Sequence, residues 1–251
     1  MRIATWNVNS IRVRIQQVLN FLKNYDVDIL MMQEIKCTNK IFPSNIFENN
    51  GFNCAVYGQK TYNGVAIVSK YIIEDVNTGN SIFKKDQSAR YIDAFINGFR
   101  IVCVYVPNGQ EVNTQYYFYK LEFLDKLIKH LSNVANVEDA IIGGDFNIAR
   151  SDLDVWNVKL WRGRNCCSNA EREKFQRLLD IGFKDVLREN SDDRELFTWW
   201  DYRHDGFKSN HGLRLDYLLA SKNINVLSRQ RCIKMRSLPQ PSDHAPILIE
   251  I

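Results

Sequence analysis

Between Ala140 and Arg150 the chain reads Ala-Ile-Ile-Gly-Gly-Asp-Phe-Asn-Ile-Ala-Arg. The apolar run is too short and too closely bounded by glycine for a helix, so it reads as a buried strand. Gly143 and Gly144 let the backbone approach a neighbouring strand or a ligand closely. Asp145 and Asn147, two apart, fall on one face if the chain is still extended there. A carboxylate and a carboxamide at a strand exit are what a hydrolytic site needs to orient a water and hold a metal-bound phosphate. An Asx turn closing a core strand uses the same residues, so their company has to decide between the two.

The same pattern recurs along the chain. Ile3 to Trp6 is a short β-prone run ending on Asn7-Val8-Asn9-Ser10. A helix is expected next, because Ile11, Ile15, Val18, Leu19 and Leu22 recur at helical spacing, with Arg12, Arg14 and Gln16 on the outer side. Asp28 to Glu34 is another strand with a polar exit. Val65 to Ser69, Tyr91 to Ile96 and Arg100 to Val106 read as strands, the last two joined by the hairpin signal Asn97-Gly98. Pro107-Asn108-Gly109 then stops the chain and presents Tyr105 near the same surface. Leu121, Leu124, Ile128 and Leu131 mark a helix from Gln115 to Leu131. Asp152 to Asn165 reads as a long polar surface loop within reach of a substrate. Ser168 with Glu171 fits a capping box for a helix that carries Phe175, Leu178 and Leu179 and ends at Gly182. Leu196 to Trp200, Arg214 to Ala220 and Pro246 to Ile251 complete the strands.

No linker or composition shift divides residues 1–251, which predicts a single domain. A loose two-part rhythm of strands and helices predicts an α/β architecture, two similar sheets packed face to face with helices outside. With 33 Lys+Arg against 29 Asp+Glu, a net charge of +4 permits an anionic partner without demanding one. The six cysteines show no C-x-x-C pair or Cys/His ligand spacing, which argues against zinc. An N-terminus that enters a strand directly, and the lack of any run of membrane-spanning length, point to a cytoplasmic protein with reduced thiols and no membrane partner.

Polar groups thus follow strand-like runs at Asn7, Glu34, Tyr105, Asp145, Asn147, Asp216 and Asp243-His244. So many in a partly buried rim cost free energy unless a shared site or ligand satisfies them. Thr5 to Arg12, Gln33-Glu34, Tyr105 to Gly109, Gly144 to Ile148, Gly212 to Tyr217 and Ser242 to Pro246 resemble, in order, the successive signatures of the exonuclease III family of apurinic/apyrimidinic endonucleases. The resemblance implies a four-layered αββα sandwich of two mixed β-sheets flanked by helices. It further implies a Mg²⁺-dependent enzyme, with Mn²⁺ able to substitute, that as a monomer hydrolyses duplex DNA 5′ to an abasic site and trims blocked 3′ ends. Trp199 to Arg203, Gly206-Phe207 and Leu213 to Asp216 resemble the DNA-repair branch of the wider endonuclease/exonuclease/phosphatase superfamily.

The resemblance also implies roles. Glu34 matches the principal metal ligand, with Asn7 and Asp243 near that metal; Asn7 could equally cap the first helix or bond a loop. Asp216 would orient His244, which bonds or protonates the phosphate or serves as base. Asp145 would orient or deprotonate the attacking water, with Asn147 on a phosphate oxygen and Tyr105 donating to the phosphate or the leaving side. Trp199, Leu213 and Leu215 match an apolar pocket for the extruded abasic sugar, though all three also suit an ordinary core. Arg90 matches an Arg near the phosphate backbone, but Ser88-Ala89 departs from the family's usual Glu-Gly. No DNA-inserting residue is identifiable; Asn157 and Arg162 are the candidates in the variable loop, and His130, His204 and His211 read as surface residues. A chiefly 3′→5′ exonuclease and a silent DNA-binding relative are the rivals; Glu34, Asp145 and His244 argue against the silent relative.

Overall fold

Among the described residues, short β-branched runs punctuated by Gly, Asn and Pro pair into two six-stranded sheets and one two-stranded ribbon. The computed structural model describes residues 1–83, 86–189 and 193–251. The first sheet holds β1 (Arg2–Asn7), β2 (Ile29–Gln33), β3 (Asn53–Tyr57), β4 (Val65–Ser69), β13 (Ser228–Arg231) and β14 (Ile247–Glu250), in the order β13-β14-β1-β2-β4-β3. The second holds β5 (Glu74–Thr78), β6 (Tyr91–Ile96), β7 (Phe99–Tyr105), β8 (Ala140–Asp145), β9 (Phe183–Asp185) and β12 (Asp216–Ser221), in the order β5-β6-β7-β8-β12-β9. The ribbon pairs β10 (Trp199–Trp200) with β11 (Gly212–Leu213). Each large sheet contains one parallel pair, β1 with β2 and β7 with β8, among antiparallel neighbours.

Helices cover both outer faces: α1 (Ile11–Asn24) and α2 (Ser44–Glu48) on the first sheet, α3 (Gly79–Phe83), α4 (Gln115–Ala135) and α6 (Asn169–Asp180) on the second. The single turn α5 (Val158–Trp161) lies in the loop before α6. Strand alternation sends Ile3, Ile29, Met31, Ile101, Cys103, Ile141 and Leu218 into the layer between the sheets, while Ala4, Trp6, Leu30 and Met32 face α1 and Val102, Val104 and Ile142 face α4. The result is the expected four-layered α/β sandwich. All six cysteines are free, and among the described residues no helix is long and apolar enough to cross a membrane.

Several local expectations need correction. Arg14, placed on the outer face of α1, is buried and donates to the carbonyls of Val8, Asn9 and Pro241. The buried face of α4 runs through Tyr117, Lys120, Phe123, Leu124, Leu127, Ile128 and Leu131, so Lys120 takes the place expected for Leu121. The 152–165 stretch is not all surface loop. Asp154 is fully buried and paired with Arg214, while Asn157 caps α5 and Arg162 pairs with Asp152. His130 is half-buried against Tyr91; His211 is exposed and stacks on Trp156; the side chain of His204 falls outside the described residues. The Leu196–Trp200 strand shrinks to two residues. The strands missed are the short edge strands β3, β5, β9 and β13 and the ribbon strand β11, and β5 and β13 carry mainly polar residues because most of their side chains are exposed, leaving no buried face to demand apolar alternation.

Two glycines test the packing. A Cβ on Gly144 would lie 2.0 Å from the Val104 carbonyl oxygen, whereas one on Gly98, in the β6–β7 turn at φ +89°, would meet nothing within 4 Å. Gly144→Ala is therefore expected to destabilise by about 3 kcal/mol through overpacking, and Gly98→Ala by about 1 kcal/mol through backbone strain alone. Urea denaturation of both variants checks the ranking.

Candidate active site

The register of the sheets brings the polar exits to one end. Tyr105 pairs with Asp145 across the parallel β7–β8 ladder, and Asp216, at the start of antiparallel β12, pairs with Asp145 on its other side. Asn7 ends β1 beside Gln33, and the chain then turns so that Glu34 enters at φ 51°. An isolated bridge between Trp199 and His244 brings the Ser242–Ala245 loop to the same rim. The left-handed backbone at Asn9, Ser10, Glu34, Lys36 and Asn147 is strain concentrated where the side chains converge.

Asn7 links the two sheets. Its Nδ2 donates to Glu34 Oε1 at 2.9 Å and to Asp145 Oδ2 at 3.0 Å, and its Oδ1 accepts from the Asn9 amide. It does not cap α1; it bonds both its loop and the acidic pair. Asp145 Oδ1 accepts from the Asn147 backbone N–H at 2.9 Å, so the Asx turn and the shared site coexist. His244 Nδ1 lies 2.8 Å from Asp216 Oδ2, and its Nε2 lies 3.7 Å from Asp145 Oδ2. Its backbone is held by Ser242 Oγ, and its carbonyl accepts from Trp6 Nε1.

Burial pushes the Asp145 carboxyl up to about 7 against the pull of the His244 imidazolium, and Asp216 adds to the rise. Burial alone would lower His244, but Asp216 and Asp145 outweigh it and raise the imidazole to about 10. Burial, then Glu34 and Asp145, hold the Tyr105 phenol well above its ordinary value. The arrangement keeps His244 charged at neutral pH and poises Asp145 near it.

The remaining expected residues divide. Asp243 accepts from Asn9 Nδ2 at 2.9 Å and Trp199 Nε1 at 3.0 Å, and Trp199, Leu213 and Leu215 line the same cleft of about 790 Å³. Leu213 and Leu215 also pack with Val155, Cys166 and Cys167, serving as cleft wall and core together. Asn147 joins the site, yet its amide is engaged: Nδ2 donates to the Val106 carbonyl and Oδ1 accepts from Asn108. Arg90 is not among the cleft-lining residues; its guanidinium stacks 4.8 Å from the Tyr105 ring centroid and backs that side chain. Sequence reasoning missed Asn9, Lys36, Asn108, Trp161 and Cys166. Asn9 and Lys36 stand two residues beyond Asn7 and Glu34, a signal that could have drawn attention to them, whereas Trp161 and Cys166 reach the cleft only through the fold.

Among the described residues, ligand atoms of Glu34, Asp145 and His244 lie within 4.8 Å of one another; Asp243 stands outside that group. Lys36 Nζ sits 2.8 Å from Glu34 Oε2. Two converging carboxylates beside an amide form an oxygen-rich set suited to a hard divalent cation.

Residues 4–244 match the endonuclease/exonuclease/phosphatase family, to which the chain belongs, and that family with its exodeoxyribonuclease relatives makes it a phosphodiester hydrolase. Within it, the chain is 34% identical to exodeoxyribonuclease III of Haemophilus influenzae over 100% of this chain and 99% of that protein. It is similar to two solved structures, each aligned over 100% of this chain and 99% of the other. One is the 3′ phosphatase NExo from Neisseria bound to a product DNA hairpin, at 37% identity and a TM-score of 0.98. The other is an AP endonuclease from Archaeoglobus fulgidus, at 35% and 0.95.

Cation binding to this site should be visible without substrate. Added Mg²⁺ is expected to raise the melting temperature of the wild-type protein and to leave Glu34→Ala unmoved. The affinity should fall as pH drops through about 7, where Asp145 takes up the proton with which the cation competes. Calorimetric melts across pH check both.

Proposed function

We propose that this chain is a Mg²⁺-dependent apurinic/apyrimidinic endonuclease that hydrolyses duplex DNA 5′ to an abasic site, also trims blocked 3′ ends, and works as a single-domain monomer in the cytoplasm. The observation that carries the reading is the buried Asp145–His244–Asp216 group meeting Glu34 and Asn7 at one end of both sheets. The names of the relatives, an exodeoxyribonuclease III from Haemophilus and an AP endonuclease from Archaeoglobus, support the substrate part of this reading.

In this reading Glu34, with Asn7 and Asp243 nearby, holds the Mg²⁺, which supplies charge neutralisation at the phosphate; Mn²⁺ can replace it. Asp145, ionised on the alkaline side of about 7, orients and deprotonates the attacking water. His244, kept charged by Asp216, donates through Nε2 to a phosphate oxygen. Tyr105, kept protonated by its surroundings, donates to the same phosphate or the leaving side. The Asn147 amide offers its N–H to a phosphate oxygen in exchange for the Val106 carbonyl it now holds. Trp199, Leu213 and Leu215 receive the base-less sugar, and Arg90 supports Tyr105 on the backbone side.

A second reading has a specific observation behind it: the Neisseria 3′ phosphatase shares the fold as closely as the AP endonuclease does. The chain would then act chiefly at 3′ ends as an exonuclease or phosphatase. A single-turnover assay on matched duplexes separates the two, one with a central tetrahydrofuran abasic analogue, one intact and one 3′-phosphorylated, with Mg²⁺ or EDTA. Fast Mg²⁺-dependent incision 5′ to the analogue with slow loss of the intact strand is expected; action confined to 3′ ends would establish the second reading, and salt-sensitive binding without cleavage a silent relative. Asp145→Asn and His244→Ala should each lower kcat by about 10²- to 10⁴-fold with melting curves intact; near-wild-type turnover would remove those roles.

A further inference from the structure

Behind the cleft lies a second buried charged group that the proposed chemistry does not use. Lys120 and Glu171 are both fully buried and form an ion pair between α4 and α6. Lys120 Nζ also donates to the Asn147 carbonyl at 2.7 Å and the Asn108 carbonyl at 3.1 Å, with Asn165 Oδ1 at 3.5 Å. Glu171 in turn accepts from the Cys166 N–H at 3.0 Å, the Ser168 N–H at 3.0 Å and the Ser168 hydroxyl at 2.7 Å, the last two within the cap of α6.

We propose that Lys120, fixed by Glu171, is a positioning residue for this site. It locks the turn after β8, the segment after β7 and the loop before α6 into one arrangement, so that Asn108 and Asn147 line the cleft from a preset position. The proposal rests on the hydrolase reading of the cleft.

The chemistry of the ammonium supports a positioning role over a binding one. An ammonium has three N–H donors and no acceptor. The two carbonyls and Glu171 use all three, and the group has no exposed surface to offer DNA. What it holds is cleft lining: Asn108, Asn147, Asn165 and Cys166 all border the cavity. The side chains continue the lock, because Asn108 Nδ2 donates to Asn147 Oδ1 at 3.0 Å and Asn108 Oδ1 accepts from Asn165 Nδ2 at 3.1 Å. Gly109 shows how closely the segment is pressed on the lysine. At φ +87° it has no Cβ, and one there would stand 2.9 Å from both Lys120 Cδ and Asn165 Oδ1. Stability alone does not call for this pair, since buried ion pairs are often replaceable by apolar residues of similar volume without loss. An apolar pair would fill the space but could not hold two backbone carbonyls at once.

Two variants separate position from stability. Lys120→Arg retains the charge but puts a planar guanidinium where the compact ammonium spaces the carbonyls. The double variant Lys120→Met with Glu171→Gln removes both charges together while leaving an acceptor for the cap of α6. Each is compared with wild type on the abasic duplex for kcat, for Kd measured in EDTA, and for melting temperature. Expected are a kcat about 10²-fold lower in the double variant, as misplacement by about 1 Å can produce, and a fall of at least tenfold in Lys120→Arg. Kd should stay within about threefold and melting near wild type. A kcat within twofold of wild type in either folded variant would overturn the proposal and make the pair purely structural. A Kd that rises in step with a kcat decrease would make Lys120 a determinant of DNA binding instead. A wild-type chain that cleaves none of the duplexes would remove the hydrolase reading itself.

Discussion

Asp145 is a carboxylate buried beside a second buried carboxylate, Asp216, with Glu34 close by, and the rest of the molecule is arranged around that electrostatic conflict. Isolated carboxylates in such a place would be driven to protonate. Here one imidazolium lies between Asp145 and Asp216, one carboxamide spans Asp145 and Glu34, and one ammonium sits on Glu34. The compensation is partial. Asp145 remains poised near neutrality, and Asp216 Oδ1 has no partner among the described residues. A site left short of positive charge is one that a divalent cation and a phosphodiester can complete.

The scaffold makes this incomplete neutralisation tolerable. Ile3, Met31, Ile101, Ile141 and Leu218 fill the layer between the sheets, and the Gly143-Gly144 pair lets β8 sit against Thr5, Met31 and Val104 where any side chain would collide. Hydrophobic burial over so many strands outweighs a handful of unfavourable polar placements at one rim. Further buried charge networks, Arg214 with Asp154 and Asp185, and Lys120 with Glu171, stand behind the cleft walls. Both tie backbone segments that carry cleft residues, Leu213 and Leu215 in one case and Asn108 and Asn147 in the other. Rigid support behind a strained rim is how a fold holds catalytic groups at fixed separations.

Much of this was legible in the chain itself. Apolar runs with polar exits predicted β1, β2, β7 and β8, whereas Asp216, read as following a strand-like run, opens β12; Asn97-Gly98 predicted the hairpin, where both residues take positive φ; Ser168 and Glu171 predicted a capping box that forms with both hydrogen bonds. The residues that misled did so because local pattern and tertiary demand disagreed. Lys120 and Arg14 are charged, so periodicity assigns them to solvent, yet each is buried where nearby carbonyls require a donor. Asp154 sits in a polar stretch that looks like exposed loop, and its partners Arg188 and Arg214, the latter sixty positions away, explain its burial. The edge strands β5 and β13 carry no alternation because most of their side chains are exposed and neither has a face that packs wholly into the core.

The sequence by itself determined the element types, the two-sheet α/β class and the identity of the polar groups at strand exits, because each depends on side-chain period and turn chemistry within a few residues. Tertiary structure alone decided which exits meet. Asn7 reaches Asp145 across 138 positions and His244 reaches Asp216 across 28 only because β1 and β8 end on the same side of two stacked sheets and β12 runs antiparallel to β8. Charge state and donor geometry follow from that convergence, since burial and neighbouring charges are properties of the assembled fold and not of any segment.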